Sequence, residues 1–135
     1  MRFAGRLAAA RGSGRRASHL TEETKRWLAQ HFTENCSLTR VAAAMRVSVF
    51  YLAHRFRERC GVSIHRFVDQ LRLRAALAEL AAGDRDLTDL ALRLGYSNHS
   101  HFSARFRRAF GTTPSAYRAS RCVPRPPVRH RAAIR

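Results

Sequence analysis

The sequence predicts an all-α fold of about seven helices, arranged as two helix-turn-helix subdomains joined by a long linker helix. Three observations lead there. First, the chain repeats itself: Leu38-Thr39, Ala42 and Ser48 recur as Leu87-Thr88, Ala91 and Ser97, 49 residues on, and Arg55-Phe56-Arg57 with Gly61 recurs as Arg105-Phe106-Arg107 with Gly111, 50 residues on. Second, apolar residues recur at spacings of three and four, the period of a helix with one buried face. Third, small polar residues open these stretches and glycines close them, as caps and stops do. Nothing alternates like a strand.

Helix one is expected over about 22–34, with Thr21 as its N-cap, Glu22 and Glu23 in the positive first turn, and Trp27, Leu28 and Phe32 on one face. Ser37 caps helix two, which turns Leu38, Val41, Ala42 and Met45 inward; Arg46 and Val47 make the turn. Ser48 caps helix three, where Leu52, Phe56 and Cys60 form a buried stripe and Gly61 ends the run. Ser63 opens the longer helix four, about 64–82, with Phe67, Leu71, Ala75 and Leu77 or Ala78 buried. Asp86 caps helix five, with Leu87, Leu90, Ala91 and Leu94 inward, and Gly95-Tyr96 turns the chain. Ser97 or Asn98 caps helix six, whose Phe102, Phe106 and Phe110 face the core. Thr113-Pro114, a cap followed by proline at the first helical position, opens a last short helix to about Arg118. The expected organisation is a disordered basic arm over 1–18, a first subdomain over 19–62, a linker helix over 63–83, a second subdomain over 84–119, and a disordered Pro/Arg tail over 120–135.

Charge adds a partner class. The formal net charge is +17, from 26 basic and 9 acidic residues, and every basic residue but Lys25 is arginine. Residues 1–18 carry five arginines and 118–135 carry six, with no acid in either; residues 19–117 keep a net +6. Such a field favours a polyanion, because neutralised phosphates release condensed counterions. No apolar run approaches the ~20 residues that a membrane-spanning helix needs. Cys36, Cys60 and Cys122, odd in number and widely spaced, argue against a disulfide framework and for a reducing compartment. His99 and His101, two apart on a helix, point to different sides, so no metal site is expected. No cysteine has an identifiable basic partner, so no enzyme and no cofactor is expected either.

Two repeated units on a basic chain therefore point to double-stranded DNA held at two successive grooves. Helix four suits that role. About 20 residues of α-helix span ~30 Å, close to the ~34 Å between successive major grooves on one face of B-DNA.

Residues 37–118 resemble the double helix-turn-helix DNA-binding domain of AraC/XylS-type bacterial transcription regulators. The resemblance rests on Ser37-Leu38, Val41-Ala42, Val47-Ser48, Leu52, Arg55-Phe56 and Gly61-Val62-Ser63 in the first unit, and on Arg72-Leu73-Arg74-Ala75-Ala76 in the linker. In the second unit it rests on Leu90-Ala91, Leu94-Gly95-Tyr96-Ser97, Phe102-Ser103, Arg105-Phe106-Arg107-Arg108, Gly111, Pro114 and Tyr117-Arg118. The chain departs from the family at Arg46, in a turn position where glycine is usual, and at Ile64, where proline is common. It also has only about 20 residues before helix one, too few for the family's sensor domain. The resemblance implies a homeodomain-like fold and a short or sensor-less regulator of the cytoplasm and nucleoid, a monomer on DNA that contacts RNA polymerase.

The buried stripes leave Phe50, Ala53, His54 and Arg57 outward on helix three. On helix six they leave Ser100, Ser103, Ala104 and Arg107 outward, with His99 at its start; by resemblance these positions enter the major groove. Phe50, Ala53 and Ala104 suit thymine methyls, and Arg57 and Arg107 suit either guanine edges or phosphate. Arg55, Arg105 and Arg108, beside the inward phenylalanines, suit phosphate. Arg72 and Arg74, on the linker helix, are expected to pair with Asp69 or Glu79 instead. Two other readings stay open: a non-specific basic nucleoid-type binder that holds on through its tails, and a non-functional fragment of a longer regulator.

Overall fold

The computed structural model describes residues 4–83 and 86–122, with side chains described from residue 12 to residue 121. Among the described residues the order is α1 (Ala4–His31), α2 (Leu38–Met45), α3 (Val49–Cys60), α4 (Ile64–Ala81), α5 (Leu87–Arg93), α6 (His99–Phe110) and α7 (Pro114–Cys122).

The repeat in the sequence is a repeat in hydrogen bonding. Ser48 Oγ accepts from the Tyr51 amide at 3.2 Å to start α3, and Asn98 Oδ1 accepts from the His101 amide at 2.8 Å to start α6. Ser63 and Thr113 do the same for α4 and α7. The tight turns also correspond. Val47 N–H donates to Ala42 C=O at 3.1 Å, and Tyr96 N–H donates to Ala91 C=O at 3.0 Å. The residue before each, Arg46 and Gly95, has positive φ, 56° and 90°. Both α3 and α6 end on a left-handed glycine, Gly61 and Gly111.

Two cores follow. The first gathers Leu28, Cys36, Val41, Ala42, Leu52, Phe56, Ile64 and Val68. The second gathers Leu73, Ala76, Leu80, Leu90, Ala91, Leu94, Tyr96, Phe102 and Phe106. The linker helix α4 belongs to both, its first half lying in one core and its second half in the other, while Phe32 packs against each. At 18 residues, α4 is about 27 Å long.

Several expectations change. The basic arm over 1–18 is not separate from the fold: α1 runs unbroken from Ala4, and Ala17 is 3% exposed. Thr21 is not an N-cap but a buried mid-helix residue whose hydroxyl donates to the Ala17 carbonyl at 2.9 Å. The reason is a stripe of Ala17, Thr21, Thr24 and Leu28, all buried at helical spacing against the first unit. On α4 the deepest residues are Ile64, Val68, Leu73, Ala76 and Leu80 rather than Phe67, Leu71 and Ala75, which are half-buried, and Ala78 is exposed. A helix shared by two cores buries two faces, so no single stripe describes it. Phe110 is 39% exposed at the last turn of α6, with its ring against Phe106 at 4.7 Å between centroids. The final helix continues to Cys122, into the expected tail, and residues 123–135 lie outside the described residues.

Candidate nucleic-acid interface

In each unit the second helix of the motif buries two residues and turns the opposite face outward. On α3, Leu52 and Phe56 are buried, so Phe50, His54 and Arg57 are exposed and Ala53 is half-buried. Phe50 is 82% exposed, and its ring lies parallel to the His54 imidazole, 6.3 Å between centroids and 4° between planes. The two form a parallel ring pair, one apolar and one polar, on the outer face.

On α6, Phe102 and Phe106 are buried, Ser100, Ala104 and Arg107 are exposed, and His99 and Ser103 are half-buried. His99 Nε2 and Ser103 Oγ share a hydrogen bond of 3.3 Å one turn apart. All nine expected readers thus fall on two corresponding faces, and positions 50, 53, 54 and 57 match 100, 103, 104 and 107.

The flanking arginines divide by what holds them. Arg55 donates from Nη1 to Glu58 Oε2 at 2.9 Å and lies over the Tyr51 ring; that contact holds the Glu58 carboxyl below its usual range. Arg105 donates from Nε to Asp69 Oδ2 at 3.1 Å, with Nη2 also 3.1 Å from that oxygen. Arg57, Arg107 and Arg108 have no ion-pair partner among the described residues. An arginine already neutralised by a carboxylate offers a phosphate less charge than one that is not.

The sequence did not reveal the polar contacts between the units. Arg72 does not pair with Asp69. It donates from Nε to the Phe32 carbonyl at 2.7 Å and from Nη2 to the Glu34 carbonyl at 2.9 Å, just past the end of α1. Asp69 instead takes Arg105 and the Tyr96 hydroxyl, the latter at 2.9 Å. Glu79 lies 3.6 Å from Arg93. The one legible signal was Asp69 itself, the lone acid between Glu58 and Glu79 in a basic stretch. Among the described residues no group of His, Cys, Asp and Glu is gathered to hold a metal, and no helix is long and apolar enough to cross a membrane.

A family profile described as a helix-turn-helix domain matches residues 41–120. Among curated proteins, the HTH-type transcriptional activator RhaS of Enterobacter sp. strain 638 is 35% identical over 95 residues, which cover 70% of this chain and 34% of that protein. RhaS of Escherichia coli O139:H28 is 34% identical over the same length, with the same coverage. The chain spans about a third of the length of these relatives. Among solved structures, the DNA-binding domain of AdpA, crystallised with a target DNA, superposes with a TM-score of 0.70 at 27% identity, covering 74% of this chain and 90% of that one. A regulator of Chromobacterium violaceum with an AraC-type DNA-binding domain gives 0.71 at 26% identity, covering 79% and 96%. With its paired helix-turn-helix units and these likenesses, the chain belongs to the AraC-type family of helix-turn-helix DNA-binding domains, a family of transcription regulators rather than enzymes.

Proposed function

We propose that this chain binds DNA site-specifically as a monomer, with α3 and α6 in successive major grooves of one duplex, and that it regulates transcription beside a promoter in the bacterial cytoplasm. The observation that carries this reading is the pair of matching outward faces on α3 and α6, held in one body by α4. Phe50, Ala53, His54 and Arg57 read the first groove; His99, Ser100, Ser103, Ala104 and Arg107 read the second. Arg108 grips phosphate. Arg55 and Arg105 add charge near the backbone while holding their carboxylate partners. Docking on DNA leaves the opposite faces of both units free for RNA polymerase.

The test is selection of bound fragments from random duplexes, followed by footprinting of the recovered site. The expected result is one preferred sequence protected over two half-sites. Arg57→Ala and Arg107→Ala then report their roles. A phosphate contact lowers the salt slope of log K by about one unit, whereas a guanine contact relaxes selectivity at one base pair, at a cost of ~1–3 kcal/mol. Recovery of no preferred sequence would overturn the proposal.

The eleven arginines of residues 1–18 and 118–135 favour a second reading, a generic polyanion binder. Because Ala17 is buried, the discriminating deletion removes only 1–11 and 123–135. A site-specific binder keeps its preferred duplex after that deletion, and a generic one, stripped of seven of those eleven arginines, loses much of its affinity for every duplex alike.

A further inference from the structure

The two units are joined by more than a helix. The polar contacts at their junction form a continuous chain from the end of α1 to α6. Arg72, on α4, grasps the Phe32 and Glu34 carbonyls at 2.7 and 2.9 Å. Its guanidinium lies over the Tyr96 ring, 5.6 Å from the centroid. Tyr96, in the turn between α5 and α6, is 4% exposed and donates its hydroxyl to Asp69 Oδ1 at 2.9 Å. Asp69, one turn before Arg72 on α4, receives Arg105 of α6 on its other oxygen at 3.1 Å. Backbone closes the junction as well. A Cβ placed on Gly95 would lie 2.7 Å from the Thr33 carbonyl oxygen and 2.8 Å from Arg72 Nη2.

This arrangement is costly to leave half-made. Without Asp69 the buried Tyr96 hydroxyl loses its acceptor and Arg105 loses its counter-charge. Apart from Tyr96, which also belongs to the second core, the junction residues lie outside the two apolar cores. What the contacts restrain is rotation of the second unit against the first.

We propose that Asp69, Arg72, Tyr96 and Arg105, closed by Gly95, are positioning residues that lock the angle between α3 and α6 and so set the half-site spacing the protein accepts. The inference rests on the proposed DNA reading. Its physical basis is the pitch of the duplex: at 10–10.5 base pairs per turn, one inserted pair rotates the second half-site by about 35° and shifts it by about 3.4 Å. A rigid junction cannot follow that displacement, and a loosened one can.

The experiment uses the full chain and the duplex that the wild type recovers from a random pool. That duplex is tested intact, with one base pair added or removed between its half-sites, and as each half-site alone. Asp69→Asn, Tyr96→Phe and Gly95→Ala are compared with wild type by equilibrium binding, with circular dichroism and thermal melts reporting the fold. The wild type is expected to lose about a hundredfold in affinity when the spacing changes by one pair, as strict bivalency requires. The variants are expected to bind the intact site about tenfold more weakly and to lose most of the spacing penalty; Tyr96→Phe, which keeps Arg105 on Asp69 and leaves the Gly95 turn intact, is expected to bind each half-site as the wild type does. Tyr96→Phe removes a single hydroxyl and keeps the ring, so it supplies the answer if Asp69→Asn fails to fold. A wild-type spacing penalty retained in folded variants would overturn the lock while leaving site-specific binding intact. A wild type indifferent to duplex sequence would overturn the DNA reading and the lock with it.

Discussion

Arg46 and Gly95 occupy the same place in the two turns, both left-handed, yet one is arginine and the other glycine. Their surroundings account for the difference. Arg46 is exposed, so its side chain has room and only the backbone conformation is unfavourable, by roughly 1–2 kcal/mol for an L-residue. Gly95 faces the Thr33 carbonyl and the Arg72 guanidinium, where any Cβ would collide. Arg46→Gly is therefore expected to stabilise the protein by about 1 kcal/mol, raising the thermal midpoint by a few degrees in a calorimetric scan. The same turn in the second unit tolerates no side chain. Cys36 shows a similar dependence on context. It is buried, its thiol donates to the His31 carbonyl at 3.1 Å, and burial pushes its pKa up, as expected of an inert core thiol.

At the scale of elements, α1 and α4 depart most from a periodicity reading, for different reasons. In α1 the buried stripe contains two threonines. Thr21 and Thr24 donate their hydroxyls to the Ala17 and Leu20 carbonyls, at 2.9 and 2.7 Å, and so behave as small apolar residues. A sequence pattern scores them as polar and takes the first as a cap. The stripe makes a prediction the arm reading would not: Ala17→Asp, placing a carboxylate at a 3%-exposed site, should destabilise the protein by about 2–3 kcal/mol in urea unfolding. An unchanged midpoint would return residue 17 to the solvent. In α4 the stripe is legible in each half but changes face midway. That change of face makes α4 a wall shared by both cores.

For the whole molecule, the junction ties stability to pH at the alkaline end. The Tyr96 phenol is held protonated above its ordinary value of 10.0, first by burial and then by its bond to Asp69. A group whose folded pKa is raised contributes its stability below the unfolded pKa and loses it as pH rises beyond that value, because the unfolded chain then sheds the proton more readily. Thermal midpoints of wild type and Tyr96→Phe, measured from pH 8 to pH 11, should therefore converge as the pH passes about 10, with the wild type falling more steeply. Parallel curves would remove the phenol from the balance.

The sequence by itself determined the local frame. The caps at Ser37, Ser48, Ser63 and Asp86, the stops at Gly61 and Gly111, the paired turns and the outward faces of α3 and α6 were all legible. Each depends on residues within a few positions of one another, where spacing dictates geometry. Only the tertiary structure decided the reach of α1, the two-faced burial of α4, and the partners of Arg72, Asp69, Tyr96 and Arg105. Those partners lie 27 to 40 positions apart in the chain. An arginine's choice among a carboxylate on its own helix, a distant carbonyl and a phosphate turns on which of them the folded backbone brings within about 3 Å, and no local pattern encodes that distance.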